Sequence, residues 1–460
     1  MQDQAETVAQ RAAAHRSGAR KVTDTIGQTL ERAQAVQRAF NAFASLDADA
    51  HIAAGAESGP LAGVAISVKD ILDVAGLPTR WGSPLFAEAA LAKTDMAAVA
   101  RLKAAGAVVI GKTTTTEFAH SPLGSSPLTG MTLNPWNPAL TCGGSSAGAG
   151  TSIAVGATRV ALATDAGCST RLPAACTGVY GLKPTLSLIP HERVPDGFGS
   201  FIHLGLLGRS VADIAAVLPV VAGPQPNDPW SLRPPAATPV AADAPLAGKT
   251  VLLWMRTGNR MVSREVEAAT RRASAILEEL GADVREADYG FAHPDPIWKT
   301  LQQTNWALRF ASSSETELAR LSPTLLAGIE EAKGYSGLDL QRAQVARTQL
   351  FRAVQGVFAG VDFILTPCTS AAPVAADFDL SGPLMVDGAE AGDLRSEWTA
   401  ALSLFDLTGH PAIALPVGLG DNGGPVAVQL VAPWHGDMAL LGAAAAFEAR
   451  VPPPVWAGAV

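Results

Sequence analysis

ATDAGCSTRLPAA, residues 163–175, sets Ser169 in a run of small residues bounded by Asp165 and Arg171. A serine hydroxyl is a poor nucleophile until a base removes its proton, and the tetrahedral intermediate of acyl transfer needs N–H donors aimed at its oxyanion. The backbone amides of Ala166, Gly167, Cys168 and Ser169 can form such a nest, with Gly167 able to take dihedrals closed to other residues. Upstream, CGGSSAGAG (142–150) supplies Ser145 and GVAISVKD (63–70) supplies Lys69. If no histidine serves, the available base is a lysine held neutral. Burial must then depress its pKa from about 10.4, and a shift of roughly 3 units costs about 4 kcal/mol. Lys69, inside an apolar stretch, suits that demand better than a surface lysine.

Working outward, LAGVAISVKDILDV (61–74) reads as an apolar strand that delivers Lys69 near its end. DMAAVARLKAAG (95–106) reads as an amphipathic helix closed by Gly106, and AVVIGKT (107–113) as a short buried strand. Residues 145–163 open with small residues suited to a helix amino terminus and continue through Ile153, Val155, Val160 and Leu162 into the core. Residues 1–45 read as polar, Ala-rich helices. The Pro- and Ala-rich stretch 222–248 reads as a surface connector. After it come a strand in KTVLLWM (249–255), a helix over 263–281 and a strand in ADVREAD (282–288). Residues 293–360 read as mainly helical. Within 285–360, Trp298, Trp306 and Phe310 suit either a cover over the site or ordinary core. VDFILTPCTSAAP (361–373), TGHPAIALPVGLG (408–420) and PVAVQLVAPW (425–434) supply further strands before a final Ala-rich helix. The pattern is α/β. Sheet material at both ends favours one composite domain over 1–460, with 361–447 as the carboxy-terminal part of its core.

The 460 residues are 48% apolar, enough to bury a large core. A net charge of −8 with scattered Lys and Arg gives no footprint for nucleic acid. Four cysteines without CxxC spacing indicate neither a disulfide framework nor a zinc site. No stretch reaches the roughly 18 apolar residues of a membrane span, and the first residues carry no apolar signal region. A cytoplasmic location is expected.

GAVVIGKT (106–113) satisfies the GxxxxGK[ST] phosphate-loop pattern, yet its middle residues Ala107, Val108, Val109 and Ile110 favour a strand over a phosphate-wrapping turn. GAGTSI (148–153) lacks the third glycine of a dinucleotide fingerprint. The eight histidines show no metal-ligand spacing, so neither a metal nor a cofactor is expected.

Taken together, GVAISVKD, CGGSSAGAG, ATDAGCSTRLPAACTGVYGLKPT, TGHPAIALPVG and PVAVQLV closely resemble the amidase signature family over roughly residues 60–440. That resemblance implies a large twisted mixed β-sheet covered by α-helices on both faces, with 60–195 as the signature core. It also implies a Ser-cisSer-Lys triad: Ser169 as nucleophile, Ser145 as bridging serine after a cis Gly144–Ser145 bond, and Lys69 as base. Ser146 matches a supporting partner of the lysine, and Asp165 and Arg171 match positions flanking the nucleophile that tie down its loop. Read without the resemblance, Ser145 would be taken as a helix N-cap.

Departures from the family pattern bear on substrate choice. Cys168 stands where a glycine is usual; with no base beside it in the motif, it reads as a packing residue before it reads as a nucleophile. Cys142 replaces a common proline and Ala147 a glycine. Relatives line their acyl pockets with the segment matching 118–136, which nominates Ala119, Leu123 and Met131 as walls, with Cys142, Gly143 and Thr170 nearby. The expected activity is hydrolysis of small apolar or aryl amides, with carbamates, urethanes or esters open to the same acyl-enzyme chemistry. The expected partner is a small-molecule substrate, without nucleic acid or membrane, for a monomer or homodimer. Two alternatives remain: the amidase subunit of a glutamine-dependent tRNA amidotransferase, and an ATP-binding protein built on Gly106–Thr113.

Overall fold

A computed structural model describes residues 6–50, 56–231, 246–291 and 293–458. Its centre is an eleven-stranded mixed sheet whose strands, in chain order, are β1 (Phe43–Leu46), β2 (Ala65–Lys69), β3 (Val108–Thr113), β4 (Val160–Asp165), β5 (Tyr180–Lys183), β6 (His203–Gly208), β7 (Thr250–Leu253), β8 (Asp283–Glu286), β9 (Phe363–Pro367), β10 (Ala412–Leu419) and β11 (Pro425–Val431). Their spatial order is β1-β3-β2-β4-β6-β5-β10-β11-β9-β7-β8. Strands from both ends of the chain therefore share one sheet, β1 to β6 on one side and β7 to β11 on the other. β2 runs parallel to both β3 and β4, and β9-β7-β8 is a second parallel run. The strands between these runs pair antiparallel.

Both faces are covered, as near-continuous apolar strands require. Alternation along β4 shows the division of labour: Val160 and Leu162 join a core packed by helices Ala97–Ala104, Val211–Val221 and Asp437–Arg450, while Ala161 and Ala163 face the other side. There their small side chains leave room for helices Ala147–Ala154 and Arg171–Thr177, whose described residues are all buried. Helix Arg171–Thr177 ends at Gly178, whose φ of 72° is left-handed and suits glycine.

Because β2 and β4 are parallel with Val68 opposite Leu162, Lys69 and Asp165 emerge from the same end of the sheet. That edge carries the site. Four strands of the sheet went unread in the sequence: β1 begins inside the stretch expected to be helical, β4 lies at the end of a run read only as a helix start continuing into the core, and β5 and β6 are short, glycine-containing runs at the middle of the sheet. Residues 232–245 of the expected connector lie outside the described residues.

The phosphate-loop pattern is a strand. Val108–Thr113 is paired on both sides by β1 and β2 and fully buried, and Lys112 lies 3.2 Å from the Asp70 carboxylate. Its amides are spent on the ladder, so no loop remains to wrap phosphate. Among the described residues no helix is long and apolar enough to cross a membrane, and no group of His, Cys, Asp and Glu is arranged to hold a metal ion.

Candidate active site

Lys69 is fully buried at the end of β2, with Nζ 2.6 Å from Ser145 Oγ and 2.9 Å from Thr164 Oγ1. No carboxylate forms an ion pair with it among the described residues. Burial drives its pKa down to about 7, against the opposing pull of Asp165 and Cys168. Ser145 is itself fully buried and follows a cis Gly144–Ser145 peptide. A side chain at Gly144 would meet the carbonyls of Ser121 and Leu123 at 2.6 Å, so only glycine fits there. The N-cap of helix Ala147–Ala154 is Ser146, without a side-chain cap bond, and the Ser145 hydroxyl faces the lysine instead. Ser146 does not touch Lys69. Its N–H donates to the Ser169 carbonyl at 3.3 Å and its hydroxyl lies 3.5 Å from the Thr164 carbonyl, so it braces the Ser169 loop.

Ser169 follows β4 and precedes helix Arg171–Thr177, 9% exposed and facing a cavity. All four carbonyls of its loop are tied back. Trp298 Nε1 donates to Ala166 O at 2.6 Å, Ser403 Oγ to Gly167 O at 3.0 Å, Leu172 N to Cys168 O at 2.7 Å, and Ser146 N to Ser169 O. Among the described residues none accepts from the N–H groups of Ala166, Gly167, Cys168 or Ser169. Four N–H groups without an acceptor, on residues that line a cavity beside a serine, suit an oxyanion. Gly167 is needed for a different reason than its conformational freedom: its φ is not left-handed, but a Cβ there would sit 2.9 Å from Trp298 Nε1.

Asp165 and Arg171 bracket this loop from below. Arg171 Nε lies 2.9 Å from Asp165 Oδ2, and its other nitrogens reach Gln429 Oε1 at 2.6 Å and Asp406 Oδ2 at 2.7 Å. All four side chains are fully buried. Asp406 and Gln429 escaped the sequence reading because they arrive from helix Ala400–Thr408 and β11, more than two hundred residues away. Gln429 stands within PVAVQLV and Asp406 two residues before TGHPAIALPVG, but nothing in either stretch shows that they meet Arg171.

Cys168 lines the cavity, but burial pushes its thiol up to about 12, and Sγ contacts only the Gly144 carbonyl at 3.8 Å. A thiol so held has no thiolate for attack. Cys142 is buried away from the cavity, with Sγ 3.3 Å from the Thr132 carbonyl.

The cavity beside Ser169 measures about 320 Å³. Its apolar walls are Trp81, Phe118, Ala119, Trp298 and Trp306; Phe118 and Ala119 hold left-handed backbone, with φ of 45° and 58°, a strain that concentrates at functional sites. Of the walls expected from sequence, only Ala119 lines it. Leu123 is buried in the core with Ala149 and Leu172, Met131 pairs with Ser125 in a short ribbon, Gly143 packs on Leu172 and Pro173, and Thr170 lies under Gly205. Further walls come from helix Asp295–Arg309, which contributes Trp298, Gln302, Asn305, Trp306 and Arg309, and from the stretch 191–202, which contributes His191, Arg193, Asp196 and Ile202 among others. Trp298 and Trp306 pack edge to face at 5.9 Å, and Phe310 meets Phe118 at 4.9 Å. The aromatic residues of this segment are thus core and cavity wall at once. Two cations stand over that wall: Arg309 Cζ lies 4.0 Å from the Trp81 ring centroid and Arg395 Cζ 4.1 Å from that of Trp298.

Residues 24–441 match the family described as Amidase. The chain is 31% identical over 442 residues to an acylamidase of Rhodococcus erythropolis, covering 92% of this chain and 91% of that one. It is 30% identical over 455 residues to a glutamyl-tRNA(Gln) amidotransferase subunit of a Cyanothece species, covering 90% and 91%. Among solved structures, a bacterial aryl acylamidase described as an amidase signature enzyme superposes with a TM-score of 0.89 at 26% identity, covering 97% of this chain and 96% of that one.

Proposed function

The chain belongs to the amidase signature family and is a hydrolase of carbon–nitrogen bonds other than peptide bonds, and from that premise we propose that Ser169 is its nucleophile, Ser145 its proton relay and Lys69 its base. The observation that carries this reading is the 2.6 Å contact between Lys69 Nζ and Ser145 Oγ, made by a lysine whose pKa is lowered by burial to about 7 and which has no carboxylate in contact with it. Neutral Lys69 takes the proton of Ser145 as Ser145 takes that of Ser169, and Ser169 Oγ attacks the carbonyl carbon. The oxyanion forms against the N–H groups of Ala166–Ser169. Collapse expels the amine, which receives a proton back through the same relay, and water then cleaves the acyl-enzyme by the reverse route.

The substrate class follows from the cavity. Walls of Trp81, Phe118, Trp298 and Trp306 favour a small apolar or aryl group, and the Arg309 and Arg395 guanidinium groups in the lining favour an electron-rich acceptor on it. Carbamates and esters of the same shape meet the same nucleophile. The kinship with an amidotransferase subunit supports a second reading, in which glutamine is the amide and partner subunits take up the ammonia.

Turnover of matched anilide, primary amide, carbamate and ester substrates, with glutamine alongside, separates these readings. Fluorophosphonate labelling should modify the wild type and not Ser169→Ala, whose turnover should fall by roughly 10⁴-fold or more with the fold intact. Undiminished turnover in that variant overturns the assignment.

A further inference from the structure

Beneath the nucleophile loop, one guanidinium meets two buried carboxylates: Arg171 Nε at Asp165 Oδ2, 2.9 Å, and Nη2 at Asp406 Oδ2, 2.7 Å. Each carboxylate keeps a second oxygen, and both of these, Asp165 Oδ1 and Asp406 Oδ1, are buried without a hydrogen-bond donor. Both carboxylates are anchored on the same guanidinium, which makes the two side chains neighbours. Two ionised carboxylates in contact repel, and an unsatisfied buried acceptor costs about 1–3 kcal/mol.

The surrounding groups supply no further donor to either orphan oxygen. His203 Nδ1 lies 3.3 Å from the Asp165 carbonyl, which can only accept, so that nitrogen carries the hydrogen and aims it there. It also lies 3.4 Å from Asp406 Oδ1, without forming a hydrogen bond to it. The imidazole is neutral, because burial holds its pKa well below the usual value. Lys183 Nζ directs its contacts to His410 O at 2.5 Å, Pro184 O at 3.4 Å and His203 Nε2 at 3.3 Å. Gln429 bonds Arg171 with its oxygen and Thr366 and Ala401 with its nitrogen.

We propose that Asp165 and Asp406 share a single proton that resides on Asp406, so that Asp406 Oδ1–H donates to Asp165 Oδ1. Asp406 is then a hydrogen-bond donor rather than a counter-ion. The assignment follows from the donor count: Asp165 Oδ2 accepts from both Arg171 Nε and the Arg171 backbone N–H, at 2.9 and 3.3 Å, whereas Asp406 accepts from Nη2 alone. The electrostatics run the same way. Burial raises Asp406 well above the usual carboxylate range, while at Asp165 burial is outweighed by Arg171 and the carboxyl is held below it. The arrangement leaves one anion for one guanidinium. Since Asp165 and Arg171 flank Ala166–Thr170, the shared proton makes Asp406 a positioning residue for the loop amides, a role that rests on the reading of Ser169 as nucleophile.

The test compares D406N, D406A and D165N in steady-state kinetics and in infrared spectra at neutral pH. An amide at 406 keeps the donor, so D406N should hold kcat within about threefold, whereas D406A strands Asp165 Oδ1 and should lower kcat roughly ten- to hundredfold with a smaller change in KM. D165N removes the anion that accepts from both Arg171 Nε and the Arg171 backbone N–H and should resemble D406A. The wild type should show a protonated carboxylic acid band that disappears in D406N. Loss of activity in D406N equal to that in D406A, activity kept in D165N but lost in D406N, or a wild-type band that D406N leaves unchanged would each overturn the proposal. Should D406A fail to fold, D406N and the spectrum still decide. If no amide is turned over at all, the amidase reading fails while the infrared band still reports the shared proton.

Discussion

Lys69 and Lys112 lie on neighbouring strands, β2 and β3, one residue apart in register, and both are fully buried. Burial lowers both, yet their surroundings differ in kind. Lys112 meets the Asp70 carboxylate at 3.2 Å, the Pro78 carbonyl at 3.2 Å and Thr79 Oγ1 at 3.1 Å; the Asp70 charge opposes its deprotonation. Lys69 meets two hydroxyls and nothing charged, and its pKa rests at about 7. Depth in the fold therefore does not make a base. What distinguishes them is whether the lysine's neighbour is an anion that keeps its proton in place or a hydroxyl that can pass one along.

The largest effect expected from this contrast is a crossed one. Lys69→Met removes the base and should reduce turnover by roughly 10³-fold or more, while leaving thermal stability at neutral pH near or above the wild type, because an apolar chain avoids the cost of burying an amine. Lys112→Met should do the opposite. It strands the Asp70 carboxylate, 1% exposed, which costs about 3–5 kcal/mol of stability, yet turnover per folded molecule should persist. Melting curves beside active-site titration separate the two, and parallel loss of activity in both variants would erase the distinction.

The same pair shows what was legible in the sequence. VKD and GKT are both lysine motifs at strand ends, and the apolar residues before Lys112 marked it as a ladder strand and not a phosphate loop, as β3 is. Ser145 and Ser169 were legible because the small residues around them are local. The buried cluster around Arg171 was not: Asp406 and Gln429 meet Arg171, and His203 meets Asp165, only after β4, β6, β5, β10 and β11 are laid side by side. The cavity escaped for the same reason. Trp81, Arg309 and Arg395 have no sequence proximity to Ser169, and of the walls expected beside the motif only Ala119 reaches the cavity, since Leu123 and Thr170 are consumed by packing. β5 and β6 stayed hidden because YGLK and HLGLLG are short and interrupted by glycine, with no period long enough to read.

A middle-sized effect concerns pH. With neutral Lys69 as the proposed base, kcat/KM should rise with pH through about 7 and level above it, falling about tenfold per unit on the acid side. Thr164→Asp would give Lys69 the kind of neighbour that Lys112 has. An anion beside the amine favours its charged form, so the limb should move upward by about 1–3 units and activity at pH 7 should drop accordingly. An unmoved limb would mean that Lys69 is not the group that titrates.

The smallest effect is the most exacting, because its sign reports the direction of one hydrogen bond. Thr164 Oγ1 lies 2.9 Å from Lys69 Nζ and can either accept from the amine or donate to it. If Nζ is to take a proton from Ser145, its lone pair must face Ser145 and Thr164 must accept. An acceptor stabilises the ammonium form, so Thr164→Val should let the Lys69 pKa fall, and the acid limb of kcat/KM should shift to lower pH by less than about one unit with the plateau kept. A shift to higher pH would show Thr164 donating to the lone pair of a neutral amine. Ser145 would then have no acceptor on Lys69, and the relay would have to run elsewhere.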